Sequence, residues 1–260
     1  MNSYGDALRK VYIGIDDTDN LESRGTGYRA RCLCQELEHE GLAQIQAVTR
    51  HQLFVHKDIP YTSHNSSACL TVFSDRPVER LVSRAASFLE KDCADGSDPG
   101  LCVALDDAVT RAVIDFGRRA KQEVLRMSDA YDLAEAAAIH LSGHGGTKQG
   151  VIGALAAVAL RHSGNDGRYI WAKGIREISG KLTAARILAE SGVERILNAG
   201  AAEAEEVHQP ADGDLVDVRD WFRPVLLDGK ATLLVKPSRR TGPDGTQWEI
   251  VDRDVIKEKY

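Results

Sequence analysis

Three carboxylates at the end of one short strand constrain this chain more than any other feature. Residues 11–15 are β-branched and aromatic, which predicts a strand, and Asp16, Asp17 and Asp19 follow with Thr18 between them. Burying bare carboxylates is costly, so these side chains must face solvent, pair with cations or hold a metal ion. Oxygen ligands of this kind suit Mg²⁺, which is often held by one or two carboxylates and substrate phosphates.

A second interpretation of the same residues is an acidic turn that caps the next helix. Asp and Asn favour turns and helix N-caps, and the pattern predicts a helix over residues 26–40. Spacing alone leaves both interpretations open.

A glycine-rich loop at residues 143–150 precedes an alanine-rich helix that the pattern predicts over residues 151–161. Glycine lets the backbone approach a ligand closely, and the N-terminus of a helix attracts anions. The loop lacks the spacing of a Walker A motif, and a flexible connection remains an equal alternative. The candidate phosphate-binding residues are Gly143, Gly145, Gly146, Thr147, Lys148 and Gly150.

A polar segment at residues 60–67 offers Asn65 as a hydrogen-bonding group, although an ordinary hairpin connection fits it as well. The acidic turn and the glycine-rich loop are more informative together. One could hold a cation and the other phosphate oxygens, which is the division of roles in phosphoryl and nucleotidyl transfer.

Composition sets broader limits on the protein class. The 260 residues carry a net charge of −6, which argues mildly against nucleic acid as the main partner. No apolar run reaches the length of a membrane span, and the first residues lack the pattern of a signal peptide, so we expect a cytoplasmic protein. The five cysteines lack paired Cys-x-x-Cys spacing, which favours reduced thiols. An alanine-rich chain of this size is compatible with a homodimer.

The hydrophobic pattern predicts an α+β or mixed α/β fold. We expect an N-terminal region over residues 1–200 and a small β-rich segment over residues 201–260. The predicted helices cover residues 26–40, 78–91, 106–125, 130–141, 151–161 and 182–191. The predicted strands cover residues 11–15, 45–49, 52–56, 68–73, 101–104, 215–218, 225–227, 232–235 and 248–251.

Several motifs, in this order, resemble the archaeal tRNA-isoleucine agmatinylcytidine synthetase family. They are Gly-Ile-Asp-Asp-Thr-Asp at residues 14–19, Pro-Tyr-Thr-Ser-His-Asn at 60–65 and Gly-Gly-Thr-Lys-Gln-Gly-Val-Ile-Gly-Ala-Leu-Ala-Ala at 145–157. The turn at residues 97–101 is also similar. The resemblance covers residues 11–169, and the first and last motifs are the specific ones.

The resemblance implies a kinase-like domain with ferredoxin-like elements, which binds ATP and Mg²⁺. It places Asp16, Asp17 and Asp19 at Mg²⁺ or the nucleotide. In an enzyme of this kind we expect Lys148 or Arg24 to neutralise charge that develops during transfer. Where the family has Gly-Met-Cys-Thr-Thr, this chain has Gly-Thr-Gly-Tyr-Arg at residues 25–29, so Thr26 is the remaining catalytic hydroxyl. The nucleotide-binding residues that it implies, besides the glycine-rich loop, are Thr18, Arg24, Gly25 and Asn65.

Three functions follow from this resemblance. The first is ATP- and Mg²⁺-dependent phosphoryl or adenylyl transfer to an unidentified acceptor, either a small molecule or RNA. The second is a tRNA-modifying enzyme that acts with a separate RNA-binding partner. The third is a non-catalytic nucleotide-binding module, which the loss of the family's Thr-Thr pair favours.

Overall fold

The computed structural model describes residues 7–59, 64–199, 209–238 and 246–259. The chain forms two compact units, Met1–Ser163 and Gly164–Tyr260. The division predicted near residue 200 falls inside the second of these units. Residues 60–63 of the predicted polar segment lie outside the described residues.

The first unit is built on an antiparallel sheet with the strand order β5-β4-β1-β3-β2. Its described strands are β1 (Arg9–Asp16), β2 (Gln44–Gln52), β3 (Ser66–Ser74), β4 (Gly100–Leu105) and β5 (His140–Gly143). Its described α-helices are α1 (Thr26–His39), α2 (Val78–Asp92), α3 (Arg111–Arg119), α4 (Met127–Ala136) and α5 (Gly150–Ser163). The mixed α/β prediction is therefore confirmed.

Helix α5 is buried along almost its whole length and forms the centre of the core. It packs against β1, β3 and β4 on one side and against α3 on the other. The contact with β1 requires a glycine, because a Cβ at Gly14 would overlap the carbonyl oxygen of Ala154. This close approach brings the first turn of α5 against the end of β1, where the three carboxylates lie.

The second unit is β-rich from Arg168 onwards, earlier than the predicted start of the β-rich segment. Its strands follow the order β6-β10-β11-β12-β9-β7, and β8 pairs in parallel with β11. Its described strands are β6 (Arg168–Ala172), β7 (Lys181–Thr183), β8 (Arg195–Asn198), β9 (Leu215–Asp217), β10 (Val225–Leu227), β11 (Lys230–Pro237) and β12 (Thr246–Ile250). Its described helices are α6 (Ala184–Glu190) and α7 (Arg253–Lys259).

A tight turn at Asp228 and Gly229 joins β10 to β11. Asp228 and Gly229 have φ values of +50° and +76°, the left-handed conformation that a tight hairpin turn requires. The predicted strand at residues 225–227 has the same bounds as β10.

Several predicted elements are wrong in extent. Residues 45–56 were expected to form two strands, but β2 continues unbroken to Gln52, because its pairing with β3 continues to that residue. The helix predicted over residues 106–125 is shorter, because Thr110 accepts a hydrogen bond from the Val113 N–H and caps α3 there. Strands β6, β7 and β8 and helix α7 were not predicted.

The helix predicted over residues 130–141 is also wrong at its end. Helix α4 ends at Ala136, and Ala138 adopts a φ of +54° that turns the chain away. His140 and Leu141 then pair with β4 as part of a strand. Among the residues that the structure describes, no helix combines the length and apolar character needed to cross a membrane.

Candidate functional site

An open cleft in the first unit, which we call the carboxylate cleft, collects most of the predicted acidic residues. Its walls come from the end of β1, the start of α1, residues 53–59 and 64–66, residues 120–125 and the first turn of α5. Its cavity volume is about 110 Å³, and the space around it is open to solvent.

The three carboxylates reach the cleft through a sharp turn. Asp16 is the last residue of β1, and Asp17 adopts a φ of +51°, so the chain reverses and Asp19 returns to the same cleft. The Asp16 carboxylate lies against Gly153 in the first turn of α5, where a Cβ would overlap its Oδ2. The site therefore needs both the tight turn and a glycine in the facing helix.

Two threonines hold this turn in place. The Thr18 hydroxyl donates to Thr26 Oγ1 at 3.2 Å, and Thr26 Oγ1 donates to Asp19 Oδ1 at 2.9 Å. Thr26 lines the cleft, whereas Thr18 is fully buried behind it. Thr26 thus begins α1 and orients one of the carboxylates, and Thr18 supports it.

The charges of the turn are poorly compensated. The pKa of Asp16 is raised to about 7, first because burial disfavours the charged form and then because Asp17 lies beside it. Burial, followed by the carboxylates of Asp98 and Asp19, raises the pKa of Asp17 to about 6. Because both carboxyl groups have raised pKa values, the site lacks enough nearby positive charge to stabilise their ionised forms.

Arg50 on β2 is a functional candidate that the sequence analysis missed. Burial lowers the pKa of its guanidinium, and the charges of Asp19 and Asp16 oppose that shift. Its Nε donates to Ser66 Oγ at 2.7 Å, and Ser66 lines the cleft. None of the described residues that line the cleft is a lysine or an arginine. Arg50 is a cation beside the carboxylates of the turn, and Arg119 pairs with the lining residue Glu123 at 2.5 Å.

The glycine-rich loop has several of its hydrogen-bond donors engaged within the protein. Both the backbone N–H and the hydroxyl of Thr147 donate to the carboxylate of Asp98, and the Gly150 N–H donates to the Asp98 carbonyl at 3.2 Å. A Cβ at Gly146 would overlap the same carboxylate. In this structure Asp98 occupies the position that the sequence analysis assigned to phosphate.

The remaining predicted residues divide between the cleft and its surroundings. Asn65 and Gly150 line the cleft. Arg24 stacks over the ring of Tyr28 at 4.5 Å, and Lys148 is exposed with a φ of +65°. The predicted residues that do not line the cleft are Thr18, Arg24, Gly25, Gly143, Gly145, Gly146, Thr147 and Lys148.

The donor set suits a cation that brings ligands of its own. Within the described ranges, no group of three or more His, Cys, Asp or Glu side chains is arranged to hold a metal ion. One or two carboxylates with phosphate oxygens and water are nevertheless a normal Mg²⁺ environment. The raised pKa values of Asp16 and Asp17 fit the electrostatic demand for such an ion.

Comparison with curated proteins gives two relatives of the same kind, both of them the isoleucine-tRNA 2-agmatinylcytidine synthetase TiaS. The chain is 29% identical over 189 residues to the TiaS of Cenarchaeum symbiosum (strain A), across 66% of this chain and 41% of that protein. It is 30% identical over 156 residues to the TiaS of Methanosarcina mazei, across 56% of this chain and 35% of that protein. The chain thus spans well under half the length of these relatives.

Among solved structures, the complex of TiaS with an isoleucine tRNA and ATP is similar with a TM-score of 0.52 and 26% sequence identity, over 58% of this chain and 36% of that chain. No protein-family model matches the chain. The resemblance that the motifs predict is therefore confirmed: the chain is similar to isoleucine-tRNA 2-agmatinylcytidine synthetases over part of their length.

Proposed function

We propose that the carboxylate cleft binds ATP together with Mg²⁺ and supports phosphoryl or adenylyl transfer to an acceptor. The observation that carries this proposal is the convergence of Asp16, Asp17 and Asp19 in one cleft, with the pKa values of Asp16 and Asp17 raised to about 7 and 6. The likeness to a protein whose solved complex contains ATP supports it further.

The acidic lining makes the cation essential to binding. Asp58 and Glu123 add to the three carboxylates of the turn, so a bare triphosphate would meet repulsion of like charge. Bound Mg²⁺ would supply charge neutralisation, with Asp16, Asp17 and Asp19 as its protein ligands. We therefore expect nucleotide binding to depend strictly on the divalent ion.

Neighbouring residues would complete the site. The Arg50 guanidinium counters the charge of the acidic wall, a role that the sequence analysis gave to Lys148 or Arg24. Asn65 lines the cleft with its Nδ2 donating to the Phe54 carbonyl at 2.6 Å, which fixes its orientation. Thr26 would act by holding Asp19, because its hydroxyl donates to that carboxylate. These are positioning and electrostatic roles, which carry most of the catalysis in phosphoryl transfer.

Two further carboxylates in the lining of the cleft favour an acceptor that carries positive charge. Asp58 and Glu123 both line the cleft with half or more of their side chains exposed. An amine or guanidinium would be drawn to these carboxylates. Agmatine, which the names of the curated relatives imply as a substrate, has that chemistry.

RNA is the second acceptor class, and the second unit supports it. The guanidinium carbons of Arg253, Arg223 and Arg176 lie 3.9, 4.5 and 5.3 Å from the centre of the Trp221 ring. Cations around a partly exposed indole can neutralise phosphates and stack on bases. This basic patch fits a tRNA-modifying activity, with or without a separate RNA-binding partner.

A non-catalytic nucleotide-binding module is the remaining candidate. The Thr26 hydroxyl is engaged by Asp19, and the chain lacks the Thr-Thr pair of the resembled family. Such a module would bind the nucleotide and release it unchanged.

Product analysis distinguishes these functions. The protein is incubated with Mg²⁺ and ATP alone, with agmatine, and with an unmodified tRNA transcript, and the nucleotide products are separated. ADP indicates phosphoryl transfer, AMP with pyrophosphate indicates adenylyl transfer, and stimulation by tRNA that is lost in Trp221→Ala supports the RNA acceptor. Unchanged ATP under every condition, with binding intact, would leave the non-catalytic module.

A further inference from the structure

A serine, two histidines and a glutamate form a hydrogen-bonded row beside β5, and no role assigned above uses it. Ser142 Oγ lies 2.8 Å from His144 Nε2, and His144 Nδ1 lies 3.2 Å from Glu90 Oε1 on α2. On its other side, Ser142 Oγ lies 2.9 Å from His140 Nε2. A hydroxyl, an imidazole and a carboxylate in this order form the constellation of an activated serine nucleophile.

The hydrogen-bond partners fix where the protons lie. An ionised Glu90 can only accept, so His144 carries its proton on Nδ1 and leaves Nε2 free to accept from Ser142. The Ser142 oxygen then accepts from the N–H of His140 Nε2. Burial lowers the pKa of His140, and the neighbouring His144 lowers it further, so this imidazole is neutral near pH 7. The result is a serine hydroxyl aimed at the Nε2 lone pair of His144.

The row lies at the end of a largely apolar groove, whose lining also includes Arg9, Glu79 and Ser83. His140 lines this groove of about 560 Å³, which runs between α2 and strand β4. Ser142 follows two residues along the same strand, about 7 Å further on, with its side chain on the same face. The apolar lining residues include Val78, Val82, Val103, Leu105 and Ala138.

We propose that Ser142, His144 and Glu90 form an ester-hydrolysing site whose groove takes the apolar part of a carboxylic ester. Ser142 Oγ attacks the carbonyl carbon while its proton moves to His144 Nε2. The bond from that carbon to the alkoxy oxygen breaks, and the alcohol leaves with the proton from His144. Water then attacks the acyl-serine in the same way and releases the carboxylic acid, so that ester and water become acid and alcohol.

Active-site labelling tests this site without any nucleotide, so its outcome is independent of the proposed ATP chemistry. The full chain is treated with an octyl fluorophosphonate. A nucleophilic serine attacks its phosphorus atom and displaces fluoride, which leaves a phosphonyl adduct on the serine. Intact mass and peptide mapping then count and locate the adduct. We expect one equivalent on Ser142, no adduct in Ser142→Ala, and hydrolysis of p-nitrophenyl butyrate that follows the same pattern.

Three further variants separate catalysis from folding. His144→Gln should slow labelling by about 10²–10⁴-fold, the usual contribution of a general base, and the exposed change Glu90→Gln by at least about tenfold. Ser128→Ala is the matched control, because Ser128 is exposed on α4 and belongs neither to the row nor to the lining of the groove. It should label within about twofold of the parent. A folded parent protein that stays unlabelled, or labelling that survives in Ser142→Ala, would overturn the proposal.

Discussion

The acidic turn after β1 and the glycine-rich loop before α5 are both polar turns that lead into a helix, yet the structure uses them in opposite ways. The turn directs Asp16 and Asp17 into a cleft where burial, and then neighbouring carboxylates, raise the pKa of each. The loop has Thr147 hydrogen-bonded through both its N–H and its hydroxyl to Asp98. A ligand site is therefore marked by charge that the protein leaves uncompensated, and glycine content alone does not identify one.

The largest expected effect comes from removing a carboxylate of the turn. If Asp17 holds the cation, Asp17→Asn should lower ATP turnover by about 10²-fold or more, as losing one preorganised electrostatic contact does elsewhere. The fold should remain, because the pKa of Asp17 shows that its charge is unfavourable in the folded protein. Turnover with the best acceptor is the measurement, and circular dichroism checks the fold.

Asp75→Asn is the matched control for that change. Asp75 is exposed on the same unit and pairs with Arg76 away from the cleft. It should keep the parent's turnover. Equal losses in the two variants would show that the turn has no special role.

The next largest effect is expected at the contact between the acidic turn and α5. Gly153→Ala places a Cβ against Asp16 Oδ2, so the carboxylate must move or the helix must shift. We expect at least about tenfold weaker Mg²⁺–ATP binding and a stability loss of about 1–3 kcal/mol, typical of overpacking. Gly213→Ala is the comparison, because a Cβ there meets nothing within 4 Å. Titration and thermal unfolding measure both effects, and unchanged binding in Gly153→Ala would contradict the geometry.

A third effect appears in the pH dependence of the ligand-free protein. Because the folded pKa of Asp16 is about 7 and its ordinary value is 3.8, its contribution to stability is present at low pH and is lost as pH rises through that window. Asp16→Asn should therefore unfold like the parent near pH 4. At pH 8 it should be more stable, by on the order of 4 kcal/mol. A constant difference between pH 4 and pH 8 would argue against a raised pKa.

The smallest effects are expected at the glycine-rich loop. Lys148 is exposed and does not line the cleft, and Arg24 stacks on Tyr28 instead. Lys148→Ala and Arg24→Ala should each change Mg²⁺–ATP affinity by less than about threefold, the range of ordinary surface changes. Arg50→Gln should weaken binding more than either of them. A tenfold loss in Lys148→Ala would restore the loop as a phosphate site and remove the contrast on which this account depends.

The features that local sequence determines could be predicted. The strand before Asp16, helix α1 and the buried helix α5 each follow from a short pattern of side chains, and the structure has them within a few residues of the expected bounds. The mixed α/β class follows from the same patterns.

The features that tertiary pairing creates could not be predicted. Arg50 reaches the acidic turn only because β2 pairs with β3 and β3 with β1. Asp98 meets Thr147 across 49 positions of sequence. The strand at His140 was mistaken for a helix, because its pairing with β4 is invisible in an alanine-rich neighbourhood. Each of these contacts depends on register, which a single sequence does not reveal.

The most direct test is a calorimetric titration of ATP in the presence and absence of Mg²⁺, with the parent protein, Asp17→Asn and Asp75→Asn. We expect ATP to bind the parent and Asp75→Asn only when Mg²⁺ is present, and we expect that binding to be lost in Asp17→Asn. Binding of ATP without Mg²⁺, or equal Mg²⁺-dependent binding to Asp17→Asn and the parent, would contradict a cation site in the carboxylate cleft.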